Sequence, residues 1–167
     1  NQQPSAMFLE ASDLNKVINS KGLILEGTKS FYASFRVKSD NHAETLILKG
    51  KEGLGTEFRL GSLPQNYTGD YRNFVTSFMA TENNTNIDVT DYDTDVVFHS
   101  NGSDVLSNTL NYRLNAGQVV VISGYTNTQA NLAGFVGALV TSDKPIVVNS
   151  GNALAGMGTP TDGQDFT

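Results

Sequence analysis

The sequence predicts an all-β protein, an antiparallel β-sandwich of the jelly-roll or Ig-like type with little helix. Asn, Ser and Thr together supply 47 of the 167 residues, whereas charged residues supply only 17%. Asn, Ser and Thr favour turns and strand surfaces over helix interiors, because their side chains compete for backbone hydrogen bonds. Short apolar runs recur along the whole chain, each bounded by Gly, Asn, Asp or Ser, and this pattern is typical of antiparallel sandwiches and barrels.

Twelve of these runs are predicted to be strands. In Phe31–Val37 and Asn86–Thr90, apolar and polar side chains alternate, which is the period of a strand with one buried face. Gln118–Ser123 instead carries four consecutive β-branched apolar residues, which predicts a central strand covered on both faces. The remaining predicted strands are Ala6–Ala11, Gly22–Glu26, Thr45–Lys49, Thr56–Leu60, Phe74–Ala80, Asp95–His99, Leu110–Leu114, Phe135–Thr141 and Ile146–Asn149.

The domain expectation is a single domain over residues 1–167. A chain of this length buries roughly 70% of its unfolded surface, and it contains no Cys, so its core must form without disulfides. The chain begins with Asn1 rather than Met and ends at Thr167, so we expect a fragment of a longer, multidomain secreted protein. A faint internal repeat is expected, with residues 22–33 matching residues 137–148.

The charge balance limits the partners. The chain holds 11 Lys and Arg against 17 Asp and Glu, a net charge of −6, which is the wrong sign for a nucleic-acid binder. It favours cationic or neutral partners over anionic ones. No apolar run approaches the length of about 20 residues that a membrane-spanning helix needs, so we expect no membrane span.

Four segments, in this order and spacing, resemble the IgGFc-binding protein N-terminal domain family, in the form found in large secreted or cell-surface proteins of Bacteroidetes-type bacteria. The first is His42-Ala43-Glu44 with Leu54-Gly55-Thr56-Glu57-Phe58 after it. The second is Phe74-Val75-Thr76 leading to Ala80-Thr81-Glu82-Asn83-Asn84-Thr85-Asn86-Ile87-Asp88-Val89. The third and fourth are Leu114-Asn115-Ala116-Gly117-Gln118 and Ser142-Asp143-Lys144-Pro145-Ile146-Val147-Val148-Asn149-Ser150-Gly151-Asn152.

The resemblance implies a non-catalytic extracellular binding or adhesion module, secreted or displayed on the cell surface. Its partners would be an extracellular protein or glycan and the neighbouring domains of the same chain. Binding of antibody Fc does not transfer by the resemblance, because no binding motif can be matched residue by residue. The matched segments read as turns, with Asn83-Asn84, Asn115-Ala116-Gly117 and Asp143-Lys144-Pro145 each connecting two strands.

The most site-like loop spans residues 65–73, where Tyr67, Tyr71 and Arg72 stand among small polar residues. Exposed aromatic side chains stack on sugars or anchor protein partners, and a guanidinium group supplies bidentate hydrogen bonds. We predict that these three residues bind the ligand. The alternative is that the tyrosines cover one end of the core.

Asp91, Asp93 and Asp95 have the spacing that opens an EF-hand loop, but Val96 and Gly102 occupy the places of its required Gly and Glu. We therefore predict no metal and no cofactor, with these three aspartates, joined by Asp88, as the candidates if Ca²⁺ is found.

Catalytic candidates are few. His42 with Glu44, and His99 with Ser100, lack a nucleophile elbow around any serine. Glu57 and Glu82 could in principle form a carboxylate pair that cleaves a glycosidic bond, but both flank turns in the matched segments, so we interpret them as hydrogen-bonding loop groups. The alternative function is therefore a glycan-directed enzyme or its carbohydrate-binding accessory module, but the prediction is that the chain is not an enzyme.

Overall fold

The fold was analysed in a computed structural model that describes residues 9–19, 21–39, 42–63, 65, 68, 74–100, 103–124 and 128–152. Within these residues no helix exceeds one short 3-10 turn, and antiparallel strands dominate, so the all-β prediction is confirmed. The strands are β1 (Val17–Ile18), β2 (Ser34–Ser39), β3 (His42–Ile47), β4 (Gly55–Arg59), β5 (Phe74–Ala80), β6 (Thr85–Thr90), β7 (Val97–Ser100), β8 (Ser103–Leu106), β9 (Leu110–Leu114), β10 (Val119–Ser123) and β11 (Leu139–Asn152). The 3-10 turns are Ala11–Asp13, Gly50–Gly53 and Gln129–Leu132.

Three long chain segments, residues 74–90, 110–123 and 139–152, run side by side in antiparallel pairs. Residues 74–90 form the middle segment. On one side of it, β10 pairs with β5 and β9 pairs with β6. On its other side, the end of β11 pairs with β5 and the start of β11 pairs with β6. Strands that continue from one sheet into another through a bend are a known way of building the corner of a sandwich.

The bends divide the sheet into two parts. The first half-sheet contains β1, β10, β5 and residues 146–152 of β11. The second half-sheet contains β9, β6, residues 139–142 of β11, and β4 along its edge. Buried side chains of both halves belong to a single apolar cluster, so the two halves enclose one core.

The core is rich in aromatic rings. Phe74 stacks on Phe135 with ring centroids 4.1 Å apart, and Phe98 meets both rings edge-on at 5.8 and 5.6 Å. These edge-on and stacked geometries are the favoured arrangements of aromatic pairs. Phe78 is fully buried in the same cluster, and the partly buried Tyr92 packs against this cluster.

The central position of β10 confirms the prediction from its four β-branched residues. β10 lies between β1 and β5, and all five of its residues are buried. Val120 and Ile122 face the core. On the opposite face, a Cβ at Gly22 would lie 2.9 Å from both Val119 and Met79, so the chain at Gly22 crosses closely over this strand.

The predicted strand Gly22–Glu26 is wrong. These residues have no regular secondary structure. Their apolar residues do not alternate with polar ones, and the segment lies across the outer face of the first half-sheet instead of pairing along its edge. Of the predicted strand Ala6–Ala11, residues 6–8 lie outside the described residues, and Ala11 begins a 3-10 turn.

The predicted turn at Asp143-Lys144-Pro145 is also wrong. β11 runs without a break from Leu139 to Asn152, and residues 135–138 form turns rather than a strand. The pairing of β11 with β4 shifts register between Thr141 and Ile146, which absorbs Pro145 at an irregularity where no ladder hydrogen bond is required.

Two hairpins stand apart from the main sheet. β2 pairs only with β3, and β7 pairs only with β8, among the described strands. β8 was not anticipated, because its four residues are all exposed and therefore carry no alternation of apolar and polar side chains. Residues 22–33 contain no strand whereas residues 139–148 lie in β11, so the hairpin pattern behind the expected repeat forms in neither segment. The single-domain expectation stays a prediction.

Candidate binding surfaces

The side chains predicted to bind a ligand, Tyr67, Tyr71 and Arg72, lie outside the described residues. Gln65, at the start of the same 65–73 loop, is buried, and its side-chain amide donates a hydrogen bond to the chain two residues earlier at 2.9 Å. The loop therefore begins from a fixed position.

That fixed position is the end of the first half-sheet. The side chain of Asn152 accepts a hydrogen bond from the Leu63 N–H at 2.7 Å and donates one to the Leu63 carbonyl at 3.2 Å. The Gln65 N–H donates to the Leu132 carbonyl at 2.8 Å. Phe74, where the chain enters β5, pairs with Asn152. The described residues on both sides of residues 66–73 are thus anchored around Asn152.

Two of the three aspartates that were the calcium candidates, Asp91 and Asp93, bind other protein groups through their carboxylates. Asp91 has a backbone φ of +60° and its carboxylate lies 2.8 Å from the guanidinium of Arg59. Asp93 accepts a hydrogen bond from the N–H of Asp95 at 2.9 Å, which closes a tight turn. Among the described residues, no three His, Asp or Glu side chains are grouped to hold a metal ion.

The catalytic candidates are dispersed. Glu57 lies exposed on β4, and Glu82 lies exposed in the bend between β5 and β6. His99 packs beside Asp104 of the paired strand, with 3.5 Å between its Nδ1 and a carboxylate oxygen. The side chain of His42 lies outside the described residues.

A polar corner forms where the three long segments bend, at residues 81–86, 115–118 and 142–145. Two side-chain hydrogen bonds, both 3.1 Å long, join the first two bends. The Asn115 side chain accepts from the Asn84 N–H, and the Asn83 side chain accepts from the Ala116 N–H. Asn84 has a φ of +56° and Gly117 a φ of +80°, conformations that Asn and Gly adopt most readily.

The third bend joins the corner through charged groups. The Asp143 carboxylate accepts hydrogen bonds from the Asn86 N–H at 2.8 Å and from the Asn86 side chain at 2.6 Å. These two donors hold the pKa of the Asp143 carboxyl below its ordinary value. Lys144 donates a hydrogen bond to the Asn83 carbonyl, and Thr81 donates one to the Pro145 carbonyl at 2.6 Å.

A polar face covers the outside of the second half-sheet. One cross-strand row places Glu57, Thr141, Asp88 and Asn111 side by side on four neighbouring strands. The Asn111 side chain donates a hydrogen bond to Asp88. The alternation in Asn86–Thr90 predicted a polar strand face. No sequence pattern predicts the four-strand row, because the row depends on which strands are neighbours.

A family model described as IgGFc binding protein matches residues 43–167, three quarters of the chain. The chain belongs to the IgGFc binding protein family. The expected family is thereby confirmed. Comparisons with curated proteins and with solved structures found no significant match.

Several residues of the segments that carried the resemblance lie at the polar corner. Asn83, Asn115 and Asp143 make hydrogen bonds that join its three bends. In the described part of the chain, no helix is long and apolar enough to cross a membrane.

Proposed function

We propose that this IgGFc binding protein family member is a non-catalytic binding or adhesion module of a secreted or cell-surface protein. The observation that carries the proposal is that the conspicuous polar side chains form hydrogen bonds within the fold. These side chains are Asp91, Asp93, Asp143 and Asn131. Groups held in this way keep loops in place, which favours a structural role over a role as acid, base or metal ligand.

We assign ligand contact to the 65–73 loop, through Tyr67, Tyr71 and Arg72. The anchoring around Asn152 supports this assignment, because recognition loops work best when a rigid scaffold fixes their ends. Two tyrosines and an arginine also form the side-chain set that dominates binding energy at interfaces. The partner is an extracellular protein or glycan, and the net charge of −6 disfavours nucleic acid.

The module-level test is a binding screen with a turnover readout. The purified chain is passed over immobilised extracellular glycoproteins, beginning with the Fc fragment of immunoglobulin G because the family description names it, and the same chain is incubated with a polysaccharide panel. We expect saturable binding to at least one surface and no change in the polysaccharides. Release of reducing sugar that is lost in Glu57→Gln or Glu82→Gln would overturn the proposal in favour of an enzyme.

The loop-level test compares two triple variants on whichever surface binds the parent chain. Tyr67→Ala/Tyr71→Ala/Arg72→Ala should weaken binding by roughly 1–4 kcal/mol, which is the cost of removing true anchors. The matched control, Thr141→Ala/Asn111→Ala/Arg113→Ala, alters the polar face of the second half-sheet and should bind as the parent does. Unchanged binding by the loop variant, with a normal unfolding temperature, would rule out the loop as the site.

A further inference from the structure

Three triplets of the sequence have the acceptor pattern for N-linked glycosylation, which is Asn-X-Ser or Asn-X-Thr with X other than Pro. They begin at Asn66, Asn83 and Asn101. The first and third of these asparagines lie outside the described residues, whereas the whole triplet Asn83-Asn84-Thr85 is described. Because Asn and Thr are abundant in this chain, the pattern needs support from the surroundings of Asn83.

The Asn83 side chain can carry a glycan and keep its place in the fold. Asn83 lies exposed in the bend between β5 and β6, and Glu82 and Asn84 beside it are exposed as well. Its Oδ1 accepts the hydrogen bond from the Ala116 N–H at 3.1 Å. Its Nδ2 has no hydrogen-bond partner among the described residues. A sugar attached to Nδ2 leaves the carbonyl oxygen in place, so the bond to Ala116 is retained.

The hydroxyl residue of the triplet is accessible only before the chain folds. Thr85 is 0% exposed at the start of β6. Its hydroxyl donates a hydrogen bond to the Glu82 carbonyl at 2.8 Å. An enzyme that reads this hydroxyl cannot reach it once β6 has joined the sheet. Glycan transfer must therefore precede closure of the bend.

We propose that Asn83 is a site of N-linked glycosylation that is modified while the chain is still unfolded. The donor is an oligosaccharide carried on a lipid pyrophosphate. A bond forms between the Asn83 Nδ2 and the anomeric carbon of the first sugar, and the bond between that carbon and the phosphate oxygen breaks. The lipid pyrophosphate leaves with the bonding electrons, and Nδ2 loses one proton.

The glycan lies at the far end of β5 from the proposed ligand loop. β5 runs from Phe74, which follows the loop, to Ala80, which precedes the bend. Six steps of about 3.3 Å separate the two ends of the strand by about 20 Å. The glycan thus covers the polar corner and leaves residues 65–73 open. This inference goes beyond the proposed function and does not rest on it.

Peptide mapping of the full chain, secreted from a eukaryotic cell, tests the site. Peptide-N-glycosidase removes an N-linked glycan and leaves aspartate in place of the modified asparagine. Fragmentation mass spectrometry, with and without this enzyme, then locates each modified position. Most chains should show the conversion at Asn83, and only after enzyme treatment. Absence of the conversion at Asn83, whatever happens at Asn66 and Asn101, overturns the proposal.

Three variants separate the triplet from the rest of the bend. Asn83→Gln and Thr85→Val should lose the glycan, whereas the matched control Thr85→Ser retains a hydroxyl and should keep it. Because Thr85 is buried, its variants can be retained in the cell, so the glycan is measured on intracellular chain as well as on secreted chain. A glycan on Asn83 in Thr85→Val, or none in Thr85→Ser, overturns the proposal.

The order of events has a separate test. The full chain is folded without a glycan, after expression in a bacterial cytosol, and is then incubated with microsomal membranes and lipid-linked oligosaccharide. It should stay unmodified at Asn83, whereas the same chain translated into these membranes should be modified. Equal modification of the folded and the nascent chain would contradict transfer before folding.

Discussion

Asn131 is the buried polar side chain whose removal the structure predicts to be most damaging. It lies in the 3-10 turn Gln129–Leu132 and is 6% exposed. Its side-chain oxygen accepts from the Val97 N–H at 2.9 Å, and its side-chain nitrogen donates to the carbonyls of Val97 at 2.8 Å and Gly124 at 3.0 Å. One amide group therefore ties the start of β7 to the end of β10.

Asn131→Ala removes all three hydrogen bonds and leaves their backbone partners without them. Each hydrogen bond contributes about 1 kcal/mol, so the free energy of unfolding should fall by about 3 kcal/mol. With a urea m-value of about 2 kcal/mol per molar for this chain length, the unfolding midpoint should fall by about 1.5 M. Circular dichroism or fluorescence during urea titration measures both quantities.

A matched control is Asn111→Ala, which removes an exposed asparagine that donates to Asp88. Its unfolding free energy should change by no more than about 0.5 kcal/mol. If Asn131→Ala loses less than about 1 kcal/mol, or no more than Asn111→Ala, the side chain does not join β7 to β10 as described.

Three further perturbations test a close glycine contact, a hydrogen-bonded carboxylate and a buried phenol. Gly124→Ala should destabilise the chain by about 1–3 kcal/mol in urea unfolding, because the new Cβ would lie 2.4 Å from a Phe74 ring carbon, whereas Gly61→Ala meets no atom within 4 Å and should be neutral. Because the pKa of Asp143 is lowered, its contribution to stability is present above the unfolded-state pKa and is lost as pH falls through the folded-state pKa. Between about pH 2 and 6, the unfolding temperature of Asp143→Asn should therefore fall less with acidification than that of the parent chain. Parallel curves of unfolding temperature against pH would contradict this. Burial raises the pKa of Tyr112 well above its ordinary value, so Tyr112→Phe should lose from the ultraviolet titration a phenol that ionises at higher pH than a tyrosine in water. The stability that this burial gives is present below the unfolded-state pKa and is lost as pH rises towards the folded-state pKa; a lost phenol that ionises like a tyrosine in water would refute the burial.

The strands that the sequence predicted best carry a clear local pattern of apolar side chains. β5 and β9 have the predicted bounds, β6 and β10 differ by one residue at one end, and β4 is shifted by one residue at both ends. Alternation or a run of β-branched residues is a local signal, so it survives without knowledge of neighbouring strands.

The errors occur where the local signal and the tertiary structure disagree. Ser142 to Pro145 looks like a turn by composition, yet β11 passes through it because β6 and β5 lie end to end along its length and hold it extended. Leu23 to Leu25 looks like a strand by composition, yet no neighbouring strand pairs with it.

The candidate sites divide in the same way. Spacing alone brought Asp91, Asp93 and Asp95 together, but spacing does not reveal that Arg59, 32 residues earlier, pairs with Asp91. The three segments of the polar corner were predicted as separate turns, and only the sheet topology shows that they lie side by side and that residues 143–145 belong to β11. The ligand role of Tyr67, Tyr71 and Arg72 stays a prediction.

The most direct test of the binding account is hydrogen–deuterium exchange of the parent chain, with and without the glycoprotein that the binding screen identifies. Amide exchange reports which backbone segments become protected when a ligand covers them. The account predicts that ligand binding slows exchange in peptides spanning residues 65–73 and leaves residues 85–90 and 110–114 unchanged. Protection confined to residues 85–90 and 110–114 would place the ligand on the polar face of the second half-sheet and contradict the account.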